Sequence, residues 1–597
     1  MFLRVTNRQK DGKDHRYYSV VENRRVRGGK HVQKTLLYLG EINDTQKAAW
    51  TKTIDTIDER GHRQVALFPE DRDIPEGVDE LGVQVRLKEL ELLRPRQWGA
   101  CWLACELWDQ LELDGFWKPK LPASRKGTEW LNVLKTLTCY RLLDPGSEWR
   151  LHRYWFDHSA MADLLGEDFR IAQKDTLYRC HDRLLEHKED LFRHLKRRWQ
   201  SLFDAKCEVL LYDLTSTYFE SDPPFPESDK RQFGYSRDKR SDCVQVVIAL
   251  VVTPDGFPLG YEVMAGNTAD NTTLRGFLKK IECQHGKAER VWVMDRGIPT
   301  EAVLAEMRAA ETPVYYLVGT PKGRVSRYEQ ALLDQPWETV RDDIAVKLLQ
   351  EEDDVYIYAQ SKKRIQKERA MRKRRLKHLL KRLTELRDQK TITRDKLLMK
   401  LGAAQKQAGR AYRLVDIVLP AANEPINAQT FHWRINRKKY RRVYRREGRY
   451  LLRSNLPPDD PAKLWQYYVQ LTEVEEAFRN LKGDLAVRPI HHQVESRIEA
   501  HIFIAFLAYC LHVTLRQRCK HCAGGLTPRS ALEQLKAIQM IDVQIPTVDG
   551  RWLRMSRFTK PDKAQQLLLA QLQLLLPPQP PPEISRKQFE NSCGEDL

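Results

Sequence analysis

The spacing of hydrophobic residues changes twice along the first two hundred positions. Residues 16–22 and 31–39 read as strands on either side of the polar turn at 23–30, whose Gly-Gly pair favours a tight reversal, so they predict a small antiparallel unit. Between residues 85 and 203, apolar side chains recur at steps of three and four, the period of an amphipathic helix. This second pattern predicts an all-helical domain.

Strand-like apolar runs return after residue 204. Several of them are short and continuous, as in strands that are buried on both faces, and one pair flanks the turn signal Thr-Pro-Asp-Gly. Their order is β-β-β-α-β-α-β, which predicts an RNase H-like mixed sheet. The predicted strands are residues 208–212, 244–252, 258–264, 290–294 and 314–318, with helices at 271–283 and 300–310.

The pattern becomes irregular after Pro321 and regains a strong helical period at residues 465–485. The stretch between holds a charged helix at 362–387 and a strand-like basic segment at 431–453, so it predicts an insertion into the sheet domain. The expected fold class is therefore α+β multidomain, with an RNase H-like core interrupted by a long insertion. The expected N-terminal domains are a small β unit at 1–45, a linker at 46–84 and a helical domain for DNA binding or dimerisation at 85–203. The core is expected in two parts, at 204–320 and 459–540, with the insertion at 321–458 between them. A C-terminal helix with a Pro-rich, disordered tail is expected at 541–597.

Composition narrows the class of partner. The 101 Lys and Arg residues exceed the 82 Asp and Glu residues by 19, and such an excess usually faces a polyanion, nucleic acid first. The most apolar run, residues 501–515, is shorter than the roughly 20 residues that a bilayer requires, and the first residues lack a signal-peptide core. The 11 scattered cysteines are typical of buried thiols in a reducing compartment. We expect a cytoplasmic, nucleoid-associated protein without a membrane partner.

Two aspartates stand at the ends of strands that are otherwise built for the interior. Asp213 follows the run at 208–212 and Asp295 follows the run at 290–294. An aspartate in such a place is costly unless a cation or several hydrogen bonds stabilise it. Because this strand order makes the two strands neighbours, the two carboxylates would repel each other, and a divalent cation would remove that repulsion.

A third carboxylate lies on the helix at 465–485. Tyr468, Glu475 and Lys482 are seven residues apart, so they share one row beside the apolar face that packs on the sheet. Arg479 adds a cation one turn after Glu475. The neighbouring carboxylates are expected to point to solvent: Glu473 and Glu476.

Asp213, Asp295 and Glu475, with the row of Tyr468 and Lys482, resemble the DDE triad and the Y-(2)-R-(3)-E-(6)-K signature of insertion-sequence transposases of the IS4 superfamily. The resemblance covers roughly residues 17–576. One departure is that the arginine of the signature falls on Leu471. Either Arg479 or Lys482 then holds phosphate near the cleaved end, or that contact is not made. The flanking motifs are similar to the IS1634 group: Gly234–Gln245, Asp295-Arg-Gly297, Ala477–Lys482 and Arg488-Pro-Ile-His491.

The resemblance implies a DDE transposase of a bacterial or archaeal insertion sequence, which binds terminal inverted repeats and target DNA and moves its element by cut-and-paste. It also implies two Mg²⁺ (or Mn²⁺) ions, bridged by Asp213 and held by Asp295 and Glu475, as in two-metal phosphodiester chemistry. Tyr468 and Lys482 are expected to position the phosphate. The resemblance further implies a homodimer, because two ends must be joined. Further DNA contacts are expected from Arg479 and Arg296.

Two basic segments compete for the DNA-binding role. Residues 362–382 carry twelve Lys and Arg against one Glu, with an apolar side that predicts a helical hairpin with residues 395–408. Residues 433–450 interleave nine Lys and Arg with three tyrosines, which on a strand would place cations and rings on alternating faces. The alternatives are a solvated charged face and an edge strand protected by charge. The expected DNA contacts are Lys373, Arg374, Arg375, Lys438, Lys439 and Arg441.

Two other classes of protein fit part of the pattern. A domesticated or inactive transposase-derived DNA-binding protein would tolerate loss of a triad carboxylate, yet all three are present. An RNase H-like nuclease without strand transfer would need neither the long insertion nor the Tyr468 and Lys482 row. A zinc site at Cys519-Lys-His-Cys522 is not expected, because no second ligand pair follows at the usual spacing. His491 and His492 are expected to have structural or solvated roles.

Overall fold

A computed structural model shows a mixed α/β, multidomain architecture built around one large mixed sheet. Residues 51–84 of the expected linker and residues 586–597 of the expected tail lie outside the described residues. The structure describes residues 2–10, 13–25, 31–43, 46–47, 50, 85–125, 127–220, 229–238, 240–312, 314–320, 328, 331, 335–341, 343–351, 353–389, 392–422, 424–458, 460–488 and 490–585.

The N-terminal unit is a three-stranded antiparallel sheet in the order β1-β2-β3. Its strands are β1 (Phe2–Lys10), β2 (Lys13–Arg25) and β3 (His31–Gly40). The sequence predicted the second and third strands but not the first, whose apolar residues are too few to signal a strand without its partner. The indole of Trp50 donates a 2.9 Å hydrogen bond to the carbonyl oxygen of Gly524, which ties the end of this unit to the C-terminal part of the chain.

The region predicted to be all-helical begins with a strand. β4 (Glu91–Gln97) pairs with β16 (Gln539–Pro546), and β17 (Trp552–Phe558) and β18 (Glu583–Ser585) complete a four-stranded antiparallel sheet. Residues 583–585, expected in the disordered tail, therefore form an edge strand. The helices that follow β4 are Gly99–Gln110, Leu113–Trp117, Trp130–Leu143, Glu148–Arg150, Met161–Leu165, Lys174–His181 and Lys188–Phe203, with a π turn at Leu151–Trp155 and 3₁₀ turns at Leu87–Glu89, Phe169–Ala172 and Leu185–His187.

The central sheet has nine strands in the order β10-β11-β12-β15-β9-β8-β5-β6-β7. β5 pairs with β8 and β8 with β9 in parallel, and the other pairs are antiparallel. The strands are β5 (Val209–Phe219), β6 (Val244–Val252), β7 (Pro258–Ala265), β8 (Arg290–Met294), β9 (Val314–Gly319), β10 (Glu338–Arg341), β11 (Ile344–Glu351), β12 (Asp354–Ser361) and β15 (Arg449–Ser454).

Helices cover both faces of this sheet, which explains the continuous apolar runs of its inner strands. On one face, Leu210 and Tyr212 pack with the helices Leu274–His285 and Glu301–Arg308. On the other face, Leu211 belongs to the core that contains the C-terminal helices. Those helices are Pro461–Val469, Leu471–Lys482, Glu495–Cys522, Pro528–Leu535 and Lys563–Gln571.

The insertion contributes strands to the same sheet and carries a separate helical layer between β12 and β15. The helix Lys362–Arg387 has the predicted bounds and pairs with Arg394–Ala408 as the predicted hairpin, through a leucine-rich core. A two-stranded ladder of β13 (Val415–Val418) and β14 (His432–Ile435) follows, then the helix Arg437–Arg446. The strand predicted over residues 431–453 is therefore wrong for its central part, because lysine and arginine are good helix formers and the chain forms a helix there.

One helix in the described part of the chain, Glu495–Cys522, is long and apolar enough to span a bilayer. Its most apolar window is 94% buried inside the protein, where it contacts the helices Trp130–Leu143 and Gly99–Gln110. This burial is that of a core helix packed within a large domain.

Candidate active site

Two of the predicted triad residues lie side by side at the centre of the sheet. In the parallel ladder of β5 and β8, Tyr212 is paired with Met294, so Asp213 and Asp295 occupy the next register position. β8 ends at Met294, whereas β5 continues to Phe219 and keeps its pairing with β6. The prediction that Asp213 ends its strand is therefore wrong, although it does lie where its parallel partner ends.

The third carboxylate comes from a helix that packs on the same strands. Val474, Phe478 and Leu481 of the helix Leu471–Lys482 are buried against β5 and β6, and Glu475 is exposed beside them. The single helix predicted over residues 465–485 is two helices, because the chain breaks at Gln470. Tyr468 therefore lies on the preceding helix.

Glu473 and Glu476 do not point to solvent as predicted. Both carboxylates contact the Arg516 guanidinium of the long helix, at 2.7 and 3.4 Å. These ion pairs hold the helix Leu471–Lys482 against the core and leave Glu475 as the carboxylate that faces the sheet edge.

Asp213 feels the charges of both Asp295 and Glu475. Its pKa is raised to about 7, first by burial and then by the charges of Asp295 and Glu475, against a hydrogen bond from the Leu214 backbone and the charge of Arg237. Asp295 and Glu475, far from Asp213 in the sequence, are thus close enough to disfavour the charged form of Asp213.

Tyr468 lies near Asp295 and Glu475. Burial raises its pKa to about 12, followed by the charge of Asp295 and by Tyr450, and Glu475 adds to the shift. Its ring is 5.9 Å from the ring of Tyr450, on which the Arg364 guanidinium stacks at 4.1 Å. Arg364 is in the first turn of the basic insertion helix, so the insertion reaches the candidate site.

The predicted phosphate contacts differ in how they are held. Lys482 Nζ lies 3.2 Å from the Asp238 carboxylate, and burial lowers the pKa of this lysine despite that partner. Arg479 is exposed, 3.8 Å from Glu476. Arg296 is also exposed, and its backbone N–H donates a 2.7 Å hydrogen bond to Asp295 Oδ1. Lys482 is therefore fixed in place, whereas the two arginines extend into solvent.

Sequence reasoning did not single out Arg237 or Asp238. Arg237 pairs with Asp270 and lowers the pKa of Asp213, and Asp238 holds Lys482 and Arg488. Both residues belong to the 234–245 motif that precedes β6. The sequence did indicate them, because a charged motif directly before a buried β-hairpin is expected at the end of the sheet where the triad lies.

The basic segments form one groove of 1020 Å³ at the junction of the insertion elements. Ten Lys or Arg side chains and two Glu side chains line it, among them Arg375 and Arg442. Lys373 and Arg374 are exposed on the same helix as Arg375, and Lys438, Lys439 and Arg441 are exposed on the helix Arg437–Arg446. Tyr440 and Tyr444 stack on each other one helical turn apart, under Arg372 and Arg369, so their rings do not alternate with cations as a strand would require.

Family models identify the chain. Residues 205–511, slightly more than half of the chain, match the transposase DDE domain. The chain therefore belongs to the DDE transposases, enzymes that cleave DNA and transfer strands with divalent metal ions. Residues 3–70 match the IS1634 family transposase N-terminal domain, which makes it a transposase of the IS1634 family. The resemblance to DDE transposases of the IS1634 group, stated from the sequence, is confirmed.

Two transposases are among the solved structures that match the chain, both with TM-scores below 0.5. The piggyBac transposase in a synaptic complex with hairpin DNA is 9% identical, with a TM-score of 0.32, over 73% of this chain and 75% of that one. The Mos1 transposase in a paired-end complex with a left transposon end is 11% identical, with a TM-score of 0.13, over 46% of this chain and 78% of that one. The curated proteins contain no significant match.

Proposed function

We propose that Asp213, Asp295 and Glu475 are the catalytic and metal-binding triad of this transposase, and that two Mg²⁺ or Mn²⁺ ions are its cofactor. The observation that carries the proposal is the parallel register of β5 and β8, which places Asp213 beside Asp295, and the charge of Glu475 also acts on Asp213. Hard carboxylate oxygens suit these cations. When bound, the cations activate the attacking water or 3′-OH and stabilise the leaving 3′-oxygen.

The sheet topology supports an RNase H-like core. The strands β7-β6-β5-β8-β9 comprise three antiparallel strands followed by two parallel ones joined through helices, the order predicted from the sequence. In this arrangement β5 is central, and the ends of the two neighbouring parallel strands present Asp213 and Asp295 together. We assign residues 204–320 and 459–540 to this core, with the insertion at 321–458 contributing four more strands and the basic groove.

The residues around the triad have roles in holding DNA. Lys482, on the Glu475 helix, and Tyr468, on the preceding helix, would position the scissile phosphate. Arg479 and Arg296 extend beside the triad into solvent, where they can contact the phosphates that flank the cleaved one. The DNA path then continues to the insertion, because Arg364 adjoins both the Tyr468 environment and the basic groove.

For the whole protein, we propose that it binds the terminal inverted repeats of its own element and moves that element by cut-and-paste as a homodimer in the cytoplasm. Membership in the IS1634 family and the net charge of +19 support this proposal. Joining two ends requires two active sites, which is the reason to expect a dimer. Both strands cut at each end, and release of a linear element, would distinguish this activity from that of an RNase H-like nuclease.

Triad substitutions test the proposal. Asp213→Asn, Asp295→Asn and Glu475→Gln are each expected to abolish Mg²⁺-dependent cleavage of DNA that carries an element end, while a gel-shift assay shows end binding within about threefold of the wild type. Glu476→Gln is the matched control, since that neighbouring carboxylate contacts Arg516 instead, and it should keep cleavage. Retained cleavage in any triad variant would refute the assignment of that residue.

A further inference from the structure

A second group of ionisable side chains lies away from the triad, in the interior. Glu148, His181, His492 and His501 come from four separate segments, yet one ligand atom of each lies within 4.8 Å of all the others. All four side chains are buried, with relative exposures between 1% and 6%. Glu148 and His181 belong to the helical region, whereas His492 and His501 follow the Glu475 helix in the sequence.

Hydrogen bonds fix the tautomers of two of these histidines. His181 Nδ1 is 3.0 Å from the Leu177 carbonyl oxygen, and His501 Nε2 is 3.2 Å from the Val487 carbonyl oxygen. A carbonyl oxygen only accepts, so each of these nitrogens carries the proton and donates it. In a neutral ring the other nitrogen is then a lone-pair acceptor, and in both residues that nitrogen faces Glu148 Oε1, at 3.4 Å from His181 and 3.2 Å from His501.

His492 adds a third nitrogen to the same point. Its Nε2 lies 3.4 Å from Glu148 Oε1. The Nε2 atoms of His181 and His492 are buried and make no hydrogen bond. The acceptor nitrogens of His181 and His501 and the Glu148 oxygen repel one another unless a cation lies among them. Protonating both rings would supply the protons but would bury two positive charges around one carboxylate, beside Arg141.

The spacing matches a metal centre. Zinc takes histidine nitrogen and carboxylate oxygen at about 2.0–2.1 Å in tetrahedral geometry, so neighbouring ligand atoms lie about 3.3 Å apart. The observed nitrogen-to-oxygen separations are 3.2, 3.4 and 3.4 Å. Backbone carbonyls that orient the remote ring nitrogen are the usual outer-shell partners of such ligands.

The surroundings permit entry and do not occupy the site. A pocket of 440 Å³ reaches Glu148 and His492 and is lined by Tyr178 and Arg497, which provides a path from solvent. The Arg141 guanidinium lies 3.7 Å from Glu148 Oε1, beyond hydrogen-bond distance. Its hydrogen bond goes to the Ala486 carbonyl oxygen instead, at 3.1 Å.

We propose that Glu148, His181, His492 and His501 bind one Zn²⁺ ion as a structural site, separate from the catalytic cations. The site joins the helical region to the segment between the Glu475 helix and the long helix Glu495–Cys522. It thereby fixes where the Glu475 helix ends relative to the rest of the protein, and its three neutral imidazoles select a borderline transition metal over Mg²⁺.

Metal analysis of tag-free, full-length protein tests the site. After dialysis against Zn²⁺ and removal of excess, mass spectrometry of the metal content is expected to give one Zn²⁺ per chain in the wild type and in Asp213→Asn. His181→Gln and His501→Gln should each lose the ion, and with it the rise in Tm of several degrees that Zn²⁺ gives the chelator-treated wild type. Co²⁺ in place of Zn²⁺ should show the strong visible bands of a tetrahedral nitrogen and oxygen site.

The matched control is His512→Gln. His512 is buried in the same helix as His501 but is not part of the cluster, so this variant should keep one Zn²⁺ per chain even if its Tm falls. Absence of stoichiometric Zn²⁺ in the folded wild type would overturn the proposal. Equal Zn²⁺ content in His501→Gln and the wild type would also overturn it. Loss of the ion in Asp213→Asn but not in the histidine variants would overturn it as well.

Discussion

Lys482 Nζ lies 3.2 Å from each carboxylate oxygen of Asp238, and Arg488 reaches the same carboxylate at 2.7 Å. The Lys482 and Asp238 side chains are only 16% and 18% exposed. Two cations therefore converge on one half-buried carboxylate. A DNA phosphate that enters this place would offer the same kind of partner, so Asp238 pre-positions Lys482 in the free protein.

Removing the charge of Asp238 is expected to destabilise the free enzyme. Asp238→Asn leaves Lys482 and Arg488 facing each other without their shared carboxylate, which should cost about 2 kcal/mol of unfolding free energy. End DNA should then raise the Tm of the variant by more than it raises that of the wild type, because phosphate replaces the lost charge. Thermal denaturation with and without end DNA measures both effects.

A surface ion pair gives the comparison for Asp238→Asn. Asp549 pairs with Arg551 on an exposed turn far along the chain, and Asp549→Asn should change the unfolding free energy by no more than about 0.5 kcal/mol, with the DNA response of the wild type. If Asp238→Asn behaves like Asp549→Asn, Lys482 does not depend on Asp238 for its position.

The pKa of Asp213 predicts a pH dependence of stability in metal-free enzyme. Its pKa is about 7 in the folded protein, above the ordinary value of 3.8, so the folded state binds the proton more tightly than the unfolded state. The contribution of the Asp213 carboxyl to the free energy of unfolding therefore falls as pH rises from about 4 to about 7 and then stays constant. Asp213→Asn removes that loss of stability. Above pH 7, the free energy of unfolding of the variant should therefore exceed that of the wild type by at most about 4 kcal/mol.

Divalent cations should reverse that difference. In the presence of excess Mg²⁺ the wild type is expected to gain stability at pH 8, since the cation offsets the repulsion among the three carboxylates, and Asp213→Asn should gain much less. Denaturant unfolding with chelator and with Mg²⁺, at pH 5 and pH 8, gives all four values. Equal stability of wild type and variant across this pH range without metal would show that Asp213 is not held near its neighbours.

The basic groove predicts a specific loss of salt dependence. Lys367, Arg375 and Arg442 line it from two helices, and replacing all three with alanine should weaken end binding and reduce the slope of log K against log salt by about 3 if each contacts a phosphate. The control replaces Lys396, Lys400 and Lys406 of the partner helix Arg394–Ala408, which do not line the groove. Equal slopes of log K against log salt for the two triple variants would show that the groove is an ordinary solvated surface.

The elements that were predicted correctly are strands and helices whose apolar pattern lies within one short stretch of sequence. The apolar run of β5 and the charged helix Lys362–Arg387 were evident from the sequence, because buried strands and long helices carry strong periodic signals. The helix Arg437–Arg446 was missed because its tyrosines were assigned to a strand. Their spacing of four, which stacks Tyr440 on Tyr444, was the available sign of a helix.

Long-range pairings could not be predicted in the same way. β4 pairs with β16 across more than 400 residues, and neither strand carries the alternation that would specify its partner. The cluster of Glu148 with three histidines likewise joins residues up to 353 positions apart, with no ligand spacing to reveal it. The triad stays a prediction; the sequence suggested it because Asp295 follows a buried strand and Glu475 lies beside the apolar face of a helix.

A crystal of the enzyme with cleaved end DNA and Mn²⁺, measured at the manganese absorption edge, tests the triad most directly. The account predicts two anomalous peaks about 4 Å apart, with Asp213 bound to both and Asp295 and Glu475 to one each. Peaks elsewhere, or Glu475 bound to neither ion, would contradict it.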